Sequence, residues 1–177
     1  MPRLNARTLS APVGSVGDDV GKLIADMFAT MYAAPGIGLA AVQVAVPKRL
    51  LVIDLQEPEG GAEDEEEGEP IKQPHVFINP EIVQRSDQRK VYNEGCLSIP
   101  EQYAEIERPA AVRARWLDQS GQEQEGEFDG LMAVCLQHEV DHLDGILFID
   151  HLSRLKRDMV VKKVLKARRD RDKAAIL

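Results

Sequence analysis

The apolar positions of residues 18–34 repeat at the spacing of an α-helix. They recur three and four residues apart, which places them on one face of such a helix. These positions are Val20, Leu23, Ile24, Met27, Phe28 and Met31. Pro35 and Gly36 follow directly, and this pair predicts that the helix ends there.

Shorter segments of the chain have patterns that are typical of β-strands. Residues 48–55 are mostly apolar, which indicates a largely buried strand. Val112, Ala114 and Trp116 alternate with polar neighbours, which indicates a strand with one buried face. We therefore expect strands at 48–55, 75–84, 90–99 and 111–118.

A second helix is predicted between Asp129 and Gly145. Asp favours the N-cap of a helix, and Gly favours the position after its last turn. The residues between them are apolar on nearly every face, and a helix of that kind is buried. The chain thus predicts an α+β fold in which short antiparallel sheets pack around this central buried helix, flanked by an N-terminal and a C-terminal helix. We expect a single domain, 1–177.

Composition excludes several classes of protein. The chain has 177 residues, 44% of them hydrophobic and 29% charged, as in ordinary soluble domains. It has no apolar run long enough to span a bilayer, and its first ten residues lead into no signal-peptide core. Its two cysteines argue against a disulfide framework and leave room for a thiolate ligand. We expect a cytoplasmic protein without a membrane partner.

Charge is unevenly distributed along the chain. The formal net charge of −8 comes from residues 57–70, which hold eight acidic residues and no basic one. We expect this segment to be an acidic surface loop, and a solvated insertion without a function is its simplest interpretation. Residues 151–177 instead hold ten Lys and Arg against three Asp. They predict a basic C-terminal helix on a body that is otherwise nearly neutral.

The predicted buried helix contains the pattern H-E-x-x-H, from His138 to His142. Residues four apart lie on one helix face, so both imidazoles can bind one metal ion. Glu139 can then act as a general base on water at that ion. The alternative is a pair of core histidines that neighbouring groups satisfy, but it requires the Glu and the spacing to coincide by chance.

A third ligand is needed for a catalytic metal site. The common zinc protease classes take it from downstream, yet this chain has no Glu after Glu139 and has Phe148 where a third His would stand. Cys96 is the better candidate, because a thiolate and two imidazoles leave a fourth position open. His151 and His75 are weaker candidates. The alternative for Cys96 is a small buried residue in a strand, and Cys135 fits that alternative well.

The small residues of 36–43, with the sequence GIGLAAVQ, form another unusual segment. They match the G-x-G-x-x-A pattern of dinucleotide sites, but that pattern needs a preceding strand, and here a helix precedes it. The other interpretation is a loop that lets a substrate backbone lie close. The amide of Gln43 could then donate a hydrogen bond to a developing oxyanion.

Three segments, GIGLAAVQ, EGCLS and QHEVDH, resemble the signature motifs of bacterial peptide deformylases in their order and spacing. The resemblance extends from the first predicted helix to the C-terminal helix. It implies a metal-dependent hydrolase that removes the N-formyl group from the formylmethionine of nascent polypeptides and releases formate. The rival hypotheses are another metallo-amidase or peptidase, and a non-catalytic relative that binds formylated chains or ribosomes.

The resemblance also implies roles for individual residues. The metal ligands would be Cys96, His138 and His142, with Glu139 as general base and acid. The amide of Gln43 and the backbone N–H of Leu97 would stabilise the oxyanion. Substrate would contact Gly36, Ile37, Gly38, Tyr92, Glu94, Gly95, Leu131, Val134 and Cys135. The family's physiological metal is Fe(II), for which Zn(II), Ni(II) or Co(II) can substitute.

The chain departs from the family at its start, where we expect the usual first strand to be missing or shortened, and at Tyr103, where a basic residue is common. For the basic C-terminal helix two interpretations stay open. In the first, its apolar stripe of Leu152, Leu155 and Met159 packs on the body and the rest of the helix is solvated. In the second, the helix docks on ribosomal RNA, because clustered Lys and Arg side chains favour phosphate. The family is reported to bind the ribosome through this helix. We expect a monomer with no DNA partner.

Overall fold

A computed structural model describes residues 8–57 and 71–174, with side chains as far as Asp170. The acidic segment predicted at 57–70 lies outside the described residues except for Glu57. The prediction that the N-terminal strand is missing or shortened concerns mainly residues 1–7, which also lie outside the described residues.

Helices and antiparallel strands make up the described parts of the chain, and the predicted α+β fold class is confirmed. The helices are α1 (Asp18–Ala33), α2 (Gly130–Leu143) and α3 (Arg154–Ala174), with short 3-10 turns at Ala41–Val44 and Phe148–His151. The strands are β1 (Gly38–Ala40), β2 (Leu50–Ile53), β3 (His75–Arg85), β4 (Arg89–Cys96), β5 (Ile99–Pro109), β6 (Ala111–Leu117) and β7 (Glu123–Asp129).

The strands form two antiparallel sheets. One has five strands in the order β1-β2-β3-β6-β7, and the other is the β4-β5 hairpin. Within the five-stranded sheet, β1 is an edge strand that pairs with β2 in a register that places Gly38 opposite Ile53. The open edge of β1 and the β4-β5 hairpin both border the same cavity, because residues of both line it.

Strand β2 is apolar throughout because both of its faces are covered. Leu51 and Ile53 pack into the cluster that includes residues of α2. Leu50 and Val52 point the other way, into the cluster built on α1. All four are fully buried, and each such side chain contributes about 1.5–3 kcal/mol of hydrophobic stabilisation. The two helices thereby sandwich the strand that holds β1 in place.

Three strands, β1, β5 and β7, were not predicted from the sequence. β1 has only three residues, which is too short for a periodic pattern. Pro100 appeared to close the strand at 90–99, but β5 begins at Ile99 and runs through it. β7 alternates between exposed Glu residues and the partly buried Gln124, Gly126 and Phe128, a period of two that the sequence does contain.

The apolar stripe predicted for the C-terminal helix is wrong in part. Leu155 is 73% exposed and Met159 is 52% exposed. The residues that pack on the body are Leu152, Val160, Val161 and Val164, against a cluster that includes Ile99, Ile106 and Phe148. Leu152 precedes the helix and so does not set its phase. No helix among the described residues is both long and apolar enough to cross a membrane.

Candidate metal and catalytic site

Cys96, His138 and His142 converge on one point. Their possible ligand atoms all lie within 4.8 Å of one another. Nε2 of His142 is 3.1 Å from Sγ of Cys96. One thiolate and two imidazoles form a donor set that suits a transition metal with a position left open for chemistry.

Local structure explains this convergence. The four-residue spacing on α2 places the two histidine rings 4.8 Å apart between centroids, nearly edge to face. Cys96 ends β4, and the register between β4 and β5 shifts between Gly95 and Cys96. Such a bulge redirects a side chain out of the regular alternation. It turns the last residue of the strand toward the helix.

The charges around the two histidines favour a cation. Burial by itself lowers the pKa of His138, but hydrogen bonds to Cys96 and Glu94 and the charge of Glu139 raise it to about 10. Burial and the charge of His138 lower the pKa of His142 to about 3. The ring of His138 therefore lies where positive charge is favoured. The ring of His142 is neutral, with a nitrogen lone pair available. A metal cation fits both conditions.

Behind the metal ligands lies a chain of hydrogen-bonded ionisable groups that is buried at Glu94 and Arg108 and reaches the surface at His151. Nδ1 of His138 donates to Glu94 at 2.9 Å, and both carboxylate oxygens of Glu94 accept from Arg108. Arg108 also donates to Asp141 at 2.9 Å, and Asp141 accepts from Nε2 of His151 at 2.8 Å. The bond at Nδ1 leaves Nε2 of His138 to face Cys96 and His142, where a metal ion would be held.

Arg108 was not predicted from the sequence, and Glu94 was predicted only to contact substrate. The paired charges explain why these two side chains tolerate burial, with 5% and 4% of their areas exposed. Burial raises the pKa of Glu94, but the hydrogen bonds from His138 and Arg108 hold it below its usual value. A buried Arg 14 residues from a buried Glu gives no periodic signal, so only the pairing of β4 with β5 reveals the contact.

Glu139 points into the site from α2, the helix that carries His138 and His142. Burial raises its pKa to about 7, against the lowering effect of the charge on His138. Within the described parts of the chain, its buried Oε2 has no hydrogen-bond partner. A carboxyl group that titrates near neutrality can both accept and return a proton.

The amide of Gln43 has a fixed orientation. Its Oε1 accepts the N–H of Ala40 at 2.8 Å, so its Nε2 must face the other way. There Nε2 donates to Oγ of Ser98 at 3.1 Å and lies 3.8 Å from Sγ of Cys96. A donor held in this way beside the metal ligands is suited to an oxyanion.

Gly38 permits the close approach of β1 to α2. A Cβ atom at this position would lie 2.7 Å from Sγ of Cys135 and 2.7 Å from Oε1 of Glu139. Both distances are far below ordinary van der Waals contact. Any side chain here would push β1 away from the helix that bears the site.

A cavity of about 450 Å³ opens beside these groups. It brings together all nine residues predicted to contact substrate: Gly36, Ile37, Gly38, Tyr92, Glu94, Gly95, Leu131, Val134 and Cys135. Gln43, Cys96, Leu97, His138 and Glu139 also line it, whereas His142 is fully buried behind them. Tyr103 is at its rim, 68% exposed, and its ring covers Gly95 closely enough to exclude a Cβ there.

The other predicted ligand candidates lie elsewhere. His75 is exposed at the start of β3, on the far side of β2 from β1. His151 ends the second 3-10 turn and pairs with Asp141. Cys135 is buried and lines the cavity, where burial raises the pKa of its thiol well above the usual value. It therefore behaves as a neutral wall residue.

The family model, the related proteins and the solved structures that match this chain all indicate the same family. The polypeptide deformylase family model matches residues 2–158. A peptide deformylase of Rhizorhabdus wittichii is 65% identical over 173 residues, covering 98% of this chain and 94% of that protein. One of Zymomonas mobilis is 57% identical over 171 residues, covering 97% and 92%. The crystal structure of peptide deformylase from Ehrlichia chaffeensis is similar with a TM-score of 0.85 and 42% identity, covering 96% of this chain and 94% of that one.

Proposed function

The chain belongs to the polypeptide deformylase family, whose members remove the N-formyl group from nascent polypeptides, and we propose which of its residues perform that reaction. Cys96, His138 and His142 would hold the metal ion on which the family depends. Glu139 would transfer the protons, and Gln43 with the N–H of Leu97 would stabilise the oxyanion. The observation that carries this assignment is the convergence of the three possible ligands on one point, beside the cavity that Gln43, Leu97 and Glu139 line.

The metal we propose is Fe(II), with Zn(II), Ni(II) or Co(II) able to substitute. When bound, it supplies Lewis-acid polarisation of the formyl carbonyl and lowers the pKa of water in the site. The Cys-His-His set suits any of these ions, because imidazole and thiolate are ligands for all of them. His142 offers a neutral nitrogen for such an ion, and Glu94 orients His138 toward it.

Proton transfer falls to Glu139. Its carboxylate would take a proton from the attacking water as the water oxygen bonds to the formyl carbon. As the C–N bond breaks, it would return the proton to the leaving amine, so that formate and a free N-terminus are released. Its pKa of about 7 is near the value that favours both transfers.

Oxyanion stabilisation falls to two donors from residues that line the cavity, Gln43 and Leu97. Nε2 of Gln43 comes from the 3-10 turn after β1, and the N–H of Leu97 comes from the turn between β4 and β5. Loss of one such donor typically lowers turnover by about 100- to 1000-fold. The formyl carbon carries only a hydrogen beside its oxygen and nitrogen, so it needs little room next to these groups.

Peptide binding would use the walls and edges of the cavity. Ile37, Tyr92, Leu131, Val134 and Cys135 would accept the methionine side chain. The edge formed by Gly36 to Gly38 on one side, and the backbone of Glu94 and Gly95 on the other, would bind the peptide main chain. Edge strands recognise extended peptides through their unpaired N–H and C=O groups.

We also propose that the protein works in the cytoplasm as a monomer with one catalytic domain, and that α3 docks on the ribosome. Support comes from the surface of α3, where eight Lys and Arg side chains are exposed between Arg154 and Asp170, the part whose side chains are described. Leu155 and Met159 are exposed on the same helix. Binding of the purified protein to ribosomes that weakens steeply with salt would support docking, and salt-insensitive or absent binding would contradict it.

The direct test is formate release from formyl-Met-Ala-Ser by anaerobically prepared, Fe(II)-loaded protein. A matched reaction contains unformylated Met-Ala-Ser. We expect formate from the first peptide and no cleavage of the second. Cleavage of the unformylated peptide would indicate a peptidase, and absence of turnover in the iron-loaded protein would contradict the assignment.

A further inference from the structure

Asp54 is a fully buried carboxylate that takes no part in the proposed reaction. It follows β2 directly, and an unpaired charge in that position would be costly. Its Oδ2 accepts the hydroxyl of Tyr32 at 2.6 Å. Its Oδ1 accepts the N–H groups of Gln56 at 3.0 Å and Gln73 at 3.1 Å. Asp54 thus ties α1 to two separate chain segments.

Gln56 is held in a backbone conformation that its side chain alone would not favour. Its φ is +54°, in the left-handed region that few residues other than Gly adopt. The hydrogen bond from its N–H to Asp54 stabilises this conformation. In it, Nε2 of Gln56 reaches the carbonyl of Gly36 at 3.2 Å.

Asp54 and Gln56 together hold one side of the segment that leads into β1. The N–H of Asp54 donates to the carbonyl of Ile37 at 2.9 Å. Gly36 is engaged at both ends, since its N–H donates to Met31 at 3.0 Å and its carbonyl accepts from Gln56. These two bonds fix the backbone of Gly36, and Gly36 in turn positions the residues that follow it.

The other side of this segment is free to meet a peptide. In an antiparallel pair, residues alternate between those bonded to the partner strand and those that point away. Because Ile37 bonds to Asp54, the next residue, Gly38, directs its N–H and C=O away from β2. Gly38 lines the cavity, so these groups face the space proposed for the substrate.

We propose that Asp54 and Gln56 are positioning residues for peptide binding, which hold Gly36 and Ile37 so that Gly38 presents its backbone to the substrate main chain. This inference rests on the proposed function, in which this edge binds the peptide. An edge held in its bound geometry loses less conformational entropy on binding. The two residues should therefore affect how tightly longer peptides bind rather than the chemistry at the formyl group.

Gln56→Asn is the sharpest variant for a test. Asn adopts the left-handed conformation more readily than most residues, but its amide is one methylene shorter and cannot reach Gly36. We expect KM for formyl-Met-Ala-Ser to rise about three- to tenfold, the loss of one ordinary hydrogen bond, with kcat changed less than about twofold. N-formylmethionine amide lacks the downstream main chain, and its kcat/KM should change little.

Two further variants make the test specific. Tyr32→Phe removes the donor to Oδ2 of Asp54 and leaves both bonds at Oδ1, so the preference for the longer substrate should persist. Asp54→Asn weakens the bonds at Oδ1 and should reduce that preference as Gln56→Asn does. An equal loss for both substrates in Gln56→Asn, or an unchanged KM for the tripeptide, would overturn the proposal.

Hydrogen exchange of residues 36–38 separates this inference from the proposed function, because it needs no turnover. Exchange should be faster in Gln56→Asn than in the wild-type protein and unchanged in Tyr32→Phe. Unchanged exchange in Gln56→Asn would overturn the positioning role whatever the kinetics show. If the wild-type protein showed no preference for the tripeptide, peptide binding along β1 would fail instead, before any variant is compared.

Discussion

Nε2 of His142 lies 3.1 Å from Sγ of Cys96, although 46 residues separate them in the chain. A bulge at the end of β4 and the buried helix α2 bring the two atoms together. A thiol and a neutral imidazole in contact can both become metal ligands. A bound metal ion would therefore replace this contact with two coordinate bonds. The contact therefore identifies the ligand pair that is easiest to test.

Replacement of Cys96 by Ser should weaken metal binding strongly, because a thiolate ligand is exchanged for a hydroxyl. We expect the affinity for Zn(II) or Co(II) to fall by more than about tenfold, the lower end of the losses seen on perturbing a metal's surroundings. Metal content and a competition titration measure it. Cys135→Ser is the matched control, since Cys135 is buried nearby but offers no ligand atom to the group. Equal metal affinity in Cys96→Ser and the wild type would refute the ligand assignment.

Replacement of Glu139 by Gln should abolish proton transfer while it preserves the shape of the side chain. General acid–base catalysis contributes about 100- to 10,000-fold, so kcat for formate release should fall by that order. Metal content should stay at the wild-type level, because Glu139 is not among the proposed ligands. Formate release near the wild-type rate with the metal still bound would show that another group transfers the proton.

Removal of the Arg108 side chain should destabilise the protein. Arg108→Ala would leave Glu94 buried without its main partner, and breaking a buried pair in this way costs about 3–5 kcal/mol. For a domain of this size the Tm should fall by roughly 10 °C. Arg113→Ala is the control, because Arg113 pairs with Glu127 on an exposed surface where such pairs contribute little. Similar Tm values for the two variants would contradict the structural importance of the buried pair.

Addition of a methyl group at Gly38 should disturb stability and activity together. A Cβ there would lie 2.7 Å from both Cys135 and Glu139, so β1 and α2 would have to separate. We expect Gly38→Ala to lower both the Tm and the rate of formate release. At Gly21, in α1, a Cβ meets no atom within 4 Å, and Gly21→Ala should stabilise the protein by about 0.5–1 kcal/mol. A wild-type Tm and rate in Gly38→Ala would mean that β1 can shift without consequence.

Local sequence determined the helices and the chemistry of the ligand helix. The spacing of Val20 to Met31 predicts α1, and the buried pattern from Asp129 to Gly145 predicts α2, because helical periodicity depends only on residues three and four apart. H-E-x-x-H predicts two ligands and a base for the same reason. The strands were less well determined. In β5, polar residues on the open face obscure the alternation. In β7 the alternation is present but weak, because two of its three partly buried positions are Gln124 and Gly126.

The tertiary structure alone decided which distant groups meet. Arg108 reaches Glu94 only because β4 pairs with β5, and Gln56 reaches Gly36 only because Asp54 holds its backbone in a left-handed conformation. The face of α3 that packs on the rest of the protein likewise depends on the position where the helix begins. This position leaves Leu155 and Met159 exposed. Such contacts join residues with no fixed separation in sequence, so no local period encodes them, and their geometry exists only once the sheets and helices have packed.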